Sequence, residues 1–338
     1  MTKNVPENFG QNAKMGFMLK TYGLEISLKR VNDSITGLLH GIDPSVFDIN
    51  QIPFSFIGKA ARARFSILMG DALGLKRRLS ERVGEVAELT HTASLLHDDC
   101  VDKAANRRGI ATLNASLGFN KAILVGDLVV ALAFERASAI APGIAEELVS
   151  AVRRMTEGAL LEENSKGRRV SEKELDRLTA LKTGALFRWC ALALTRLAEK
   201  PALFEPCARL GEETGVSFQL IDDVLDFESE ASSSGKDSLK DIFEGKHTLP
   251  LVLALKDKTS GPELEKLISA FSASGARDMA SAALAAAVVT KGGFAKAARD
   301  SARQRARASI FPLIELLPEK ESAVELKNYI NALLERTA

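Results

Sequence analysis

The sequence carries two acidic motifs of the same form, each at the end of an apolar stretch. The first is HTASLLHDDCVD at residues 91–102, and the second is FQLIDDVLD at residues 218–226. The apolar residues before each motif recur at helical spacing, so each motif is predicted to close a helix. Aspartates four residues apart then project from one helix face. The two pairs are Asp98 with Asp102 and Asp222 with Asp226.

Paired carboxylates at this spacing indicate a divalent cation. Like charges four residues apart repel each other, and unpaired charge beside apolar residues is costly to bury. Magnesium removes both costs, because it binds one or two carboxylates together with waters and phosphate oxygens. A solvated acidic turn would explain one such motif. Two motifs, each after an apolar helix and each followed by basic residues, instead predict a pair of sites that clamp a diphosphate and stabilise it as a leaving group.

The remainder of the chain is predicted to be helical. It is 46% hydrophobic and 26% charged, as expected of a soluble globular protein, and it has little β-type alternation. We expect an all-α fold, a single large helical bundle over residues 1–338 with the site in a central cavity, of which residues 1–20 form a loosely ordered N-terminal segment. The predicted helices cover residues 24–40, 57–74, 81–104, 119–141, 143–164, 171–198, 205–229, 248–256, 262–274, 277–290, 293–311 and 320–336.

Bulk properties limit the function classes. The net charge of +1 does not favour a nucleic-acid binder. The cysteines Cys100, Cys190 and Cys207 form no CxxC pair, which favours a reducing compartment. The N-terminus lacks the apolar core of a signal peptide, and the longest apolar stretch is too short to span a bilayer. We therefore expect a cytoplasmic protein without a membrane anchor.

Basic residues surround both acidic motifs. Arg107 and Arg108 follow the first motif by about one turn. Lys182 and Thr183 begin a further helical segment. Guanidinium groups bind phosphate through two parallel hydrogen bonds. The Ser- and Gly-rich residues 229–245 predict a lid that carries Lys236 over a bound diphosphate and excludes water.

These blocks resemble the trans-isoprenyl diphosphate synthases. The resemblance spans residues 57–252, in the order typical of that family, and it implies the isoprenoid-synthase helical fold. The matching blocks are GKAAR at 58–62, HTASLLHDDCVD at 91–102, RRG at 107–109, GD at 126–127, KTG at 182–184, FQLIDDVLD at 218–226 and GKHTLPL at 245–251.

The resemblance also implies a role for each matching residue. The cofactor would be Mg²⁺, about three ions with a diphosphate bound. The metal ligands would be Asp98, Asp102 and Asp222, supported by Asp99, Asp223 and Asp226. The allylic diphosphate would be held by Arg107, Lys182 and Lys236. Isopentenyl diphosphate would be held by Lys59, Arg62, His91 and Arg108. Polar oxygens beside the reacting carbons would come from Thr183 and Gln219, and Lys246 would contact the departing diphosphate.

The chain departs from the family pattern at several positions. The usual block is two glycines followed by Lys-Arg-x-Arg-Pro. Here Ile57 replaces the first glycine, Ala60 the first arginine and Ala63 the proline. Lys59 and Arg62 keep their spacing and still share a helix face. In the lid, Leu239 stands where the family usually has glycine.

Small residues before the first motif predict a long product. Ser94, Thr90 and Ala87 lie about one, two and three turns before Asp98, and Ala93 is small as well. A bulky aromatic side chain at these positions would close the cavity about one turn, roughly 5 Å, from the metals. Within the family this pattern resembles the octaprenyl-type, long-chain synthases. Close helix packing is the alternative explanation for the small residues.

Other functions share part of this pattern. A class I terpene cyclase has the same fold but normally carries an Asn/Ser/Glu metal motif in place of the second aspartate motif. A shorter-chain farnesyl or geranylgeranyl diphosphate synthase, a non-catalytic partner subunit and a helical scaffold protein are further alternatives. Partner subunits tend to lose acidic residues that are all present here. The resemblance also implies a homodimer.

Overall fold

The computed structural model describes residues 8–48, 58–107, 109–166, 168–228, 245–273 and 279–337. Almost all regular structure in these ranges is helical, which confirms the all-α prediction. The residues group into two compact units, one ending at Pro142 and the other beginning at Gly143. The single domain and the loose segment at residues 1–20 stay predictions. None of the described helices combines the length and hydropathy needed to cross a bilayer.

The first unit is built around one long helix. Helix α3 packs against α1, α2 and α5, and its buried side chains include Val83, Leu89 and Leu96. Thr112 caps α4 by accepting the N–H of Ala115 at 3.4 Å. The elements are α1 Asn8–His40, α2 Ala61–Leu73, α3 Arg77–Val101, β1 Asn106–Arg107, β2 Ile110–Ala111, α4 Leu113–Leu117 and α5 Phe119–Ser138.

The elements of the second unit begin with α6. They are α6 Ile144–Ser165, α7 Glu172–Thr179, a π-helix Ala180–Gly184, α8 Ala185–Leu197, a 3₁₀ turn Pro201–Leu203, α9 Phe204–Glu228, α10 Leu249–Lys256, α11 Ser260–Ala273, α12 Met279–Lys291, α13 Phe294–Ser309, α14 Phe311–Ile314 and α15 Lys320–Glu335.

Helix α9 is the centre of the second unit. It packs against α8, the π-helix, α13 and α15. The buried indole of Trp189 on α8 donates to the carbonyl of Ile144 at 3.2 Å, which ties α8 to the start of α6. Ser171 and Glu174 form a reciprocal capping box that starts α7.

The predicted helices are found in the described residues, but α1 begins at Asn8 instead of residue 24, and the short helices α4 and α14 were not predicted. The helix predicted over 171–198 is interrupted by the π-helix at Ala180–Gly184, a feature that periodicity does not signal because it changes the hydrogen-bond register over one turn. The two-residue strands β1 and β2 pair Arg107 with Ile110 in a small antiparallel hairpin, which the sequence analysis did not predict. This hairpin places Arg107 directly after the first acidic motif.

Candidate active site

The first acidic motif closes α3 in the first unit. Asp102 caps the helix, and its N–H donates to the carbonyl of Asp98 at 2.8 Å. Both side chains are partly exposed. The last turn of α3 contains no basic residue. The C-terminal end of a helix carries a partial negative charge, so a cation is favoured there and two carboxylates are not.

Asp99 in the same motif has a different environment. Its side chain is 1% exposed and is held by the guanidinium of Arg107. Nε of Arg107 donates to Oδ1 at 2.9 Å and to Oδ2 at 3.1 Å, and Nη2 lies 2.8 Å from Oδ1. Asp99 therefore fixes the hairpin against α3 and orients Arg107. Arg108, the next predicted diphosphate ligand, lies outside the described residues.

One face of α3 leads to the motif and remains open to solvent. His91, Ser94, Leu95 and Asp98 follow each other at helical spacing, and all are partly exposed, whereas Thr92, Ala93 and Leu96 between them are buried. This face brings the predicted isopentenyl diphosphate ligand His91 into line with the predicted metal ligand Asp98.

The predicted chain-length residues differ in exposure. Ser94 has accessible surface on the open face, and its hydroxyl donates to the carbonyl of His91 at 2.8 Å. Ala93 is 1% exposed, Thr90 is 2% exposed and Ala87 is 0% exposed. Only Ser94 among these residues presents its side chain to solvent in this structure. The chain-length role stays a prediction, and Ser94 is the position best placed to fulfil it.

The second basic block lies at the start of α2. Lys59 is exposed, whereas Arg62 is 8% exposed and Ala63 is fully buried. Ala60 between them has the left-handed conformation, with φ of 49°. Ile57, where the family usually has glycine, lies outside the described residues.

The second acidic motif ends α9 in the second unit, and its members also differ. Asp223 is buried, whereas Asp222 and Asp226 are partly exposed. Arg336, the C-cap of α15, donates from Nη2 to Asp222 Oδ1 at 2.5 Å and to the carbonyl of Phe218 at 3.1 Å. Its guanidinium carbon lies 4.4 Å from the centre of the Phe218 ring.

A second arginine anchors this C-terminal segment to α9. Arg299 is 7% exposed, and its Nη1 donates to the carbonyls of Leu334 and Arg336 at 3.0 Å each. Its Nε and Nη2 bind the carboxylate of Glu228 at 3.1 and 2.5 Å. Because Glu228 ends α9, Arg299 links the end of α15 to the helix that carries the second motif.

A chain of hydrogen bonds runs from the π-helix to the second motif. Thr183 Oγ1 donates to Gln219 Oε1 at 2.9 Å. Gln219 Nε2 then donates to Asp223 Oδ1 at 3.0 Å. The structure thus brings together three residues that the resemblance assigns to the reacting carbons and the metal. Thr183 and Asp223 are buried, and Gln219 is partly exposed.

The π-helix carries Lys182 against α6. A Cβ atom at Gly158 of α6 would lie 2.6 Å from the backbone nitrogen of Lys182, so only glycine permits this approach. Lys182 Nζ lies 2.5 Å from Glu162 Oε2, one turn further along α6. The wider turn of a π-helix reorients side chains and often occurs at functional sites. Here the π-helix contains both Lys182 and Thr183.

The lid region is described only at its end. Lys236 and Leu239 lie outside the described residues, whereas Lys246 is partly exposed just before α10. The neighbouring His247 donates from Nε2 to the carbonyl of Ser165 at 3.0 Å. Burial lowers the pKa of His247 below its usual value.

The two motifs fit a cation that takes few protein ligands. In the part of the chain that the structure describes, no group of three or more His, Cys, Asp or Glu side chains is arranged to enclose a metal ion. Magnesium needs no such enclosure, because it keeps most of its octahedron for waters and phosphate oxygens. The partly exposed Asp98 and Asp102 at the negative end of α3 meet this requirement. Buried Asp99, which binds Arg107, meets it less well.

Three residues of these sites were missed by the sequence analysis. They are Glu162, Arg336 and Glu88 of α3, whose buried carboxylate accepts the backbone N–H groups of Arg62 and Ala63 at the start of α2. Each is a charged residue whose role depends on a contact with a distant part of the chain. Glu88 had a sequence signal, because it interrupts the apolar run of α3, where an unpaired charge would be costly. Glu162 and Arg336 look like ordinary surface charges in the sequence.

The chain is similar to known proteins over most of its length. Residues 46–286 match the family model for polyprenyl synthetases. The octaprenyl diphosphate synthase of Escherichia coli K12 is 31% identical over 257 residues, covering 72% of this chain and 79% of the relative. The octaprenyl diphosphate synthase of Haemophilus influenzae is 31% identical over 300 residues, covering 87% of this chain and 89% of the relative.

Solved structures give the same fold. A polyprenyl synthase from Caulobacter crescentus, complexed with calcium and isoprenyl diphosphate, has a TM-score of 0.82 and 26% identity, covering 93% of this chain and 96% of that chain. A decaprenyl diphosphate synthase from Rhodobacter capsulatus has a TM-score of 0.81 at 24% identity, covering 94% and 98%, which bears on the fold alone. Fold and motifs thus define an isoprenyl synthase. The chain belongs to the polyprenyl synthetase family, which confirms the resemblance drawn from its motifs.

Proposed function

We propose that this chain is a long-chain polyprenyl diphosphate synthase. It would condense isopentenyl diphosphate with an allylic diphosphate, head to tail and in the trans configuration, to a product longer than C20. The observation that carries the proposal is the repeated aspartate motif at the ends of α3 and α9, the second joined by hydrogen bonds to Thr183. The curated relatives include octaprenyl and nonaprenyl diphosphate synthases, which supports a long product.

The cofactor we propose is Mg²⁺, held mainly by Asp98, Asp102 and Asp222. Asp99, Asp223 and Asp226 would support these ligands. When bound, the ions would neutralise charge on the departing diphosphate and make it a better leaving group. A divalent cation accompanies isoprenyl diphosphate in the Caulobacter crescentus relative, which supports this assignment.

The allylic diphosphate would be held by Arg107, Lys182 and Lys236. Asp99 and Glu162 restrict the first two side chains, at 2.8 Å from Arg107 Nη2 and 2.5 Å from Lys182 Nζ. Donors that are already positioned lose little freedom when charge develops on the leaving group. Breaking of the allylic C–O bond would then leave a carbon cation that must be shielded from water.

Thr183 and Gln219 are suited to stabilise this cation. The hydroxyl proton of Thr183 is directed to Gln219 Oε1, so the other directions around Oγ1 carry lone pairs. Lone pairs stabilise positive charge on carbon and repel negative charge. The double bond of isopentenyl diphosphate would attack the cation and form the new C–C bond. A proton would then leave to the released diphosphate, which restores a double bond.

The isopentenyl diphosphate would lie near the start of α2 and the open face of α3. Lys59, Arg62, His91 and Arg108 would bind its diphosphate, and Lys246 would contact the diphosphate that leaves. Ser94 would be the first chain-length residue beyond the metals, followed by Ala93 and Thr90. A tail that extends along α3 needs small side chains at this point.

The experiment that tests this function uses the purified chain with radiolabelled isopentenyl diphosphate. Geranyl, farnesyl and geranylgeranyl diphosphates are supplied in turn with Mg²⁺, and the products are sized by chromatography. We expect a long polyprenyl product that disappears when a chelator is added. Asp98→Asn and Asp222→Asn should abolish it, whereas Asp300→Asn, which removes a surface ion pair with Lys296, should not.

Two outcomes would refute the proposal. Hydrocarbon formed from an allylic diphosphate without isopentenyl diphosphate would indicate a cyclase. Absence of condensation by the purified chain, restored only by a second protein, would indicate a partner subunit.

We further propose that the enzyme is a cytoplasmic homodimer. The cysteines Cys100, Cys190 and Cys207 are buried and form no disulfide, as suits a reducing compartment. On α5, Phe119, Ile123 and Leu124 are 44%, 42% and 65% exposed, and such a cluster of apolar side chains is typical of an interface. A second copy of the chain would cover it.

Light scattering after gel filtration tests the assembly. The wild type should have twice the mass of one chain, and Leu124→Glu should shift it to the monomer. Val324→Glu replaces an exposed valine of α15 and should remain dimeric. A monomeric wild type would refute the homodimer.

A further inference from the structure

The N-terminus of α2 lacks a cap from its own sequence. Ala60 occupies the N-cap position and has no side chain that could accept a hydrogen bond. Its left-handed backbone is unusual for a residue other than glycine. The first N–H groups of any helix need acceptors from outside the helix. At this terminus they lie beside Lys59 and Arg62.

Glu88 of α3 supplies the missing acceptor. Its Oε1 accepts the backbone N–H of Arg62 at 3.0 Å and that of Ala63 at 2.9 Å. The side chain is 2% exposed. Burial raises the pKa of the Glu88 carboxyl, and the charge of Arg62 and the two N–H groups oppose the rise. A single buried oxygen therefore closes the first turn of α2.

Close packing of α2 on α3 makes this contact possible. A Cβ atom at Gly84 would lie 3.0 Å from Cα of Ala63 and 3.1 Å from its Cβ. Glu88 is one turn further along α3 and so meets the N-terminus of α2 directly. The register between the two helices is thereby restricted to one arrangement.

Ala63, one of the positions that depart from the family pattern, takes part in the contact with Glu88. Related synthases usually have proline at this position, and proline has no N–H to donate. In this chain the N–H of Ala63 exists and is bonded to Glu88. The replacement thus adds a donor that Glu88 accommodates.

We propose that Glu88 is a positioning residue for the diphosphate of isopentenyl diphosphate. It fixes the first turn of α2, and with it Lys59 and Arg62, against α3, which carries His91. The inference rests on the proposed function, in which these side chains bind that diphosphate. The role is specific to Glu88 among the buried glutamates of α3, because Glu85 binds the side chains of Ser34 and Arg136 and Glu81 binds that of Arg30.

Steady-state kinetics on the purified full chain test the inference. Glu88→Gln keeps a neutral acceptor, and Glu88→Ala removes it. Hydrogen bonds to a charged acceptor are about twice as strong as neutral ones, so we expect KM for isopentenyl diphosphate to rise about three- to fivefold with glutamine. With alanine the loss of both bonds should raise it about tenfold or more. The KM of the allylic substrate and the Mg²⁺ requirement should change less than about twofold.

Glu85→Gln is the matched control. It neutralises a glutamate that is 4% exposed on the same helix, and KM for isopentenyl diphosphate should remain that of the wild type. An unchanged KM in Glu88→Gln would overturn the inference, as would an equal rise for both substrates. If Glu88→Ala does not fold, the KM of Glu88→Gln for isopentenyl diphosphate still tests the inference. Wild-type condensation is measured first, so failure of the proposed function appears as absence of product from the wild type.

Discussion

Arg336 donates a hydrogen bond to Asp222 across 114 positions of sequence, at 2.5 Å. It is stacked on the Phe218 ring and bonded to the Phe218 carbonyl, so its position is well determined. The guanidinium of Arg336 therefore already binds the carboxylate of Asp222, which we assign to metal binding. Any metal at Asp222 shares that carboxylate with the arginine or displaces it.

Removing this arginine should strengthen metal binding. In Arg336→Ala the carboxylate of Asp222 has less positive charge nearby, and a partly exposed pair is worth about 0.5–1 kcal/mol. The half-saturating Mg²⁺ concentration should then fall about two- to fivefold, measured from initial rates at saturating substrates. Arg303→Ala is the control, because Arg303 binds Asp300 and Glu335 at the surface of the same unit. A higher Mg²⁺ requirement in Arg336→Ala would show that Arg336 assists the metal.

The helices and motifs were predictable because their causes are local. Apolar spacing determined where α3 and α9 lie, and the aspartate spacing placed both motifs at their ends. The π-helix was not predictable from local spacing, and it packs against another helix, where Gly158 lets the backbone of Lys182 approach closely. Propensity alone favours an uninterrupted α-helix over this stretch.

The environment of each aspartate could not be inferred from the motif. Asp98 and Asp99 are adjacent aspartates of one motif, yet Asp98 is partly exposed and Asp99 is buried against Arg107. Which side of α3 faces solvent depends on tertiary packing. For the same reason the sequence could not distinguish Ser94 on the open face from the buried Ala93.

The Thr183 hydroxyl is predicted to act in the chemical step. Thr183→Val keeps the shape but leaves Gln219 Oε1 without its donor and removes the lone pairs beside the reacting carbon. We expect kcat to fall about ten- to a hundredfold, with a smaller change in either KM. Single-turnover rates separate this loss from slow product release.

Thr195→Val provides a matched control for that substitution. Thr195 is also buried, on α8, and its hydroxyl donates to the carbonyl of Ala191 at 2.7 Å. Its replacement should leave kcat within about twofold of the wild type. Equal losses in both variants would indicate a packing effect.

A substitution at Ser94 should change the product length without the loss of stability that a substitution at Ala93 would cause. Ser94→Phe places a ring on the open face one turn from Asp98, where it would block the growing tail. The product should shorten, as measured by chromatography of the dephosphorylated alcohols, while the Mg²⁺ requirement stays the same. Ala93→Phe forces a ring into a buried position and should cost about 1–3 kcal/mol of stability.

An unchanged product from a folded Ser94→Phe enzyme would rule out the open face of α3 as the tail path. Ser94→Ala is the control, because it removes the hydroxyl without adding volume. Its product should match that of the wild type.

Protonation of His247 should destabilise the second unit below neutral pH. Burial lowers the pKa of His247 in the folded chain below its ordinary value of 6.5, whereas the unfolded chain takes up a proton near that value. The stabilising contribution is therefore fully present above pH 6.5 and is lost as the pH falls through the lower, folded pKa. His247→Gln keeps a donor for the Ser165 carbonyl but cannot be protonated, so its melting temperature should fall less between pH 7.5 and 5. Differential scanning calorimetry measures both profiles, with the exposed His40→Gln as the control that should follow the wild type. Parallel profiles for wild type and His247→Gln would show that other groups set the acid sensitivity.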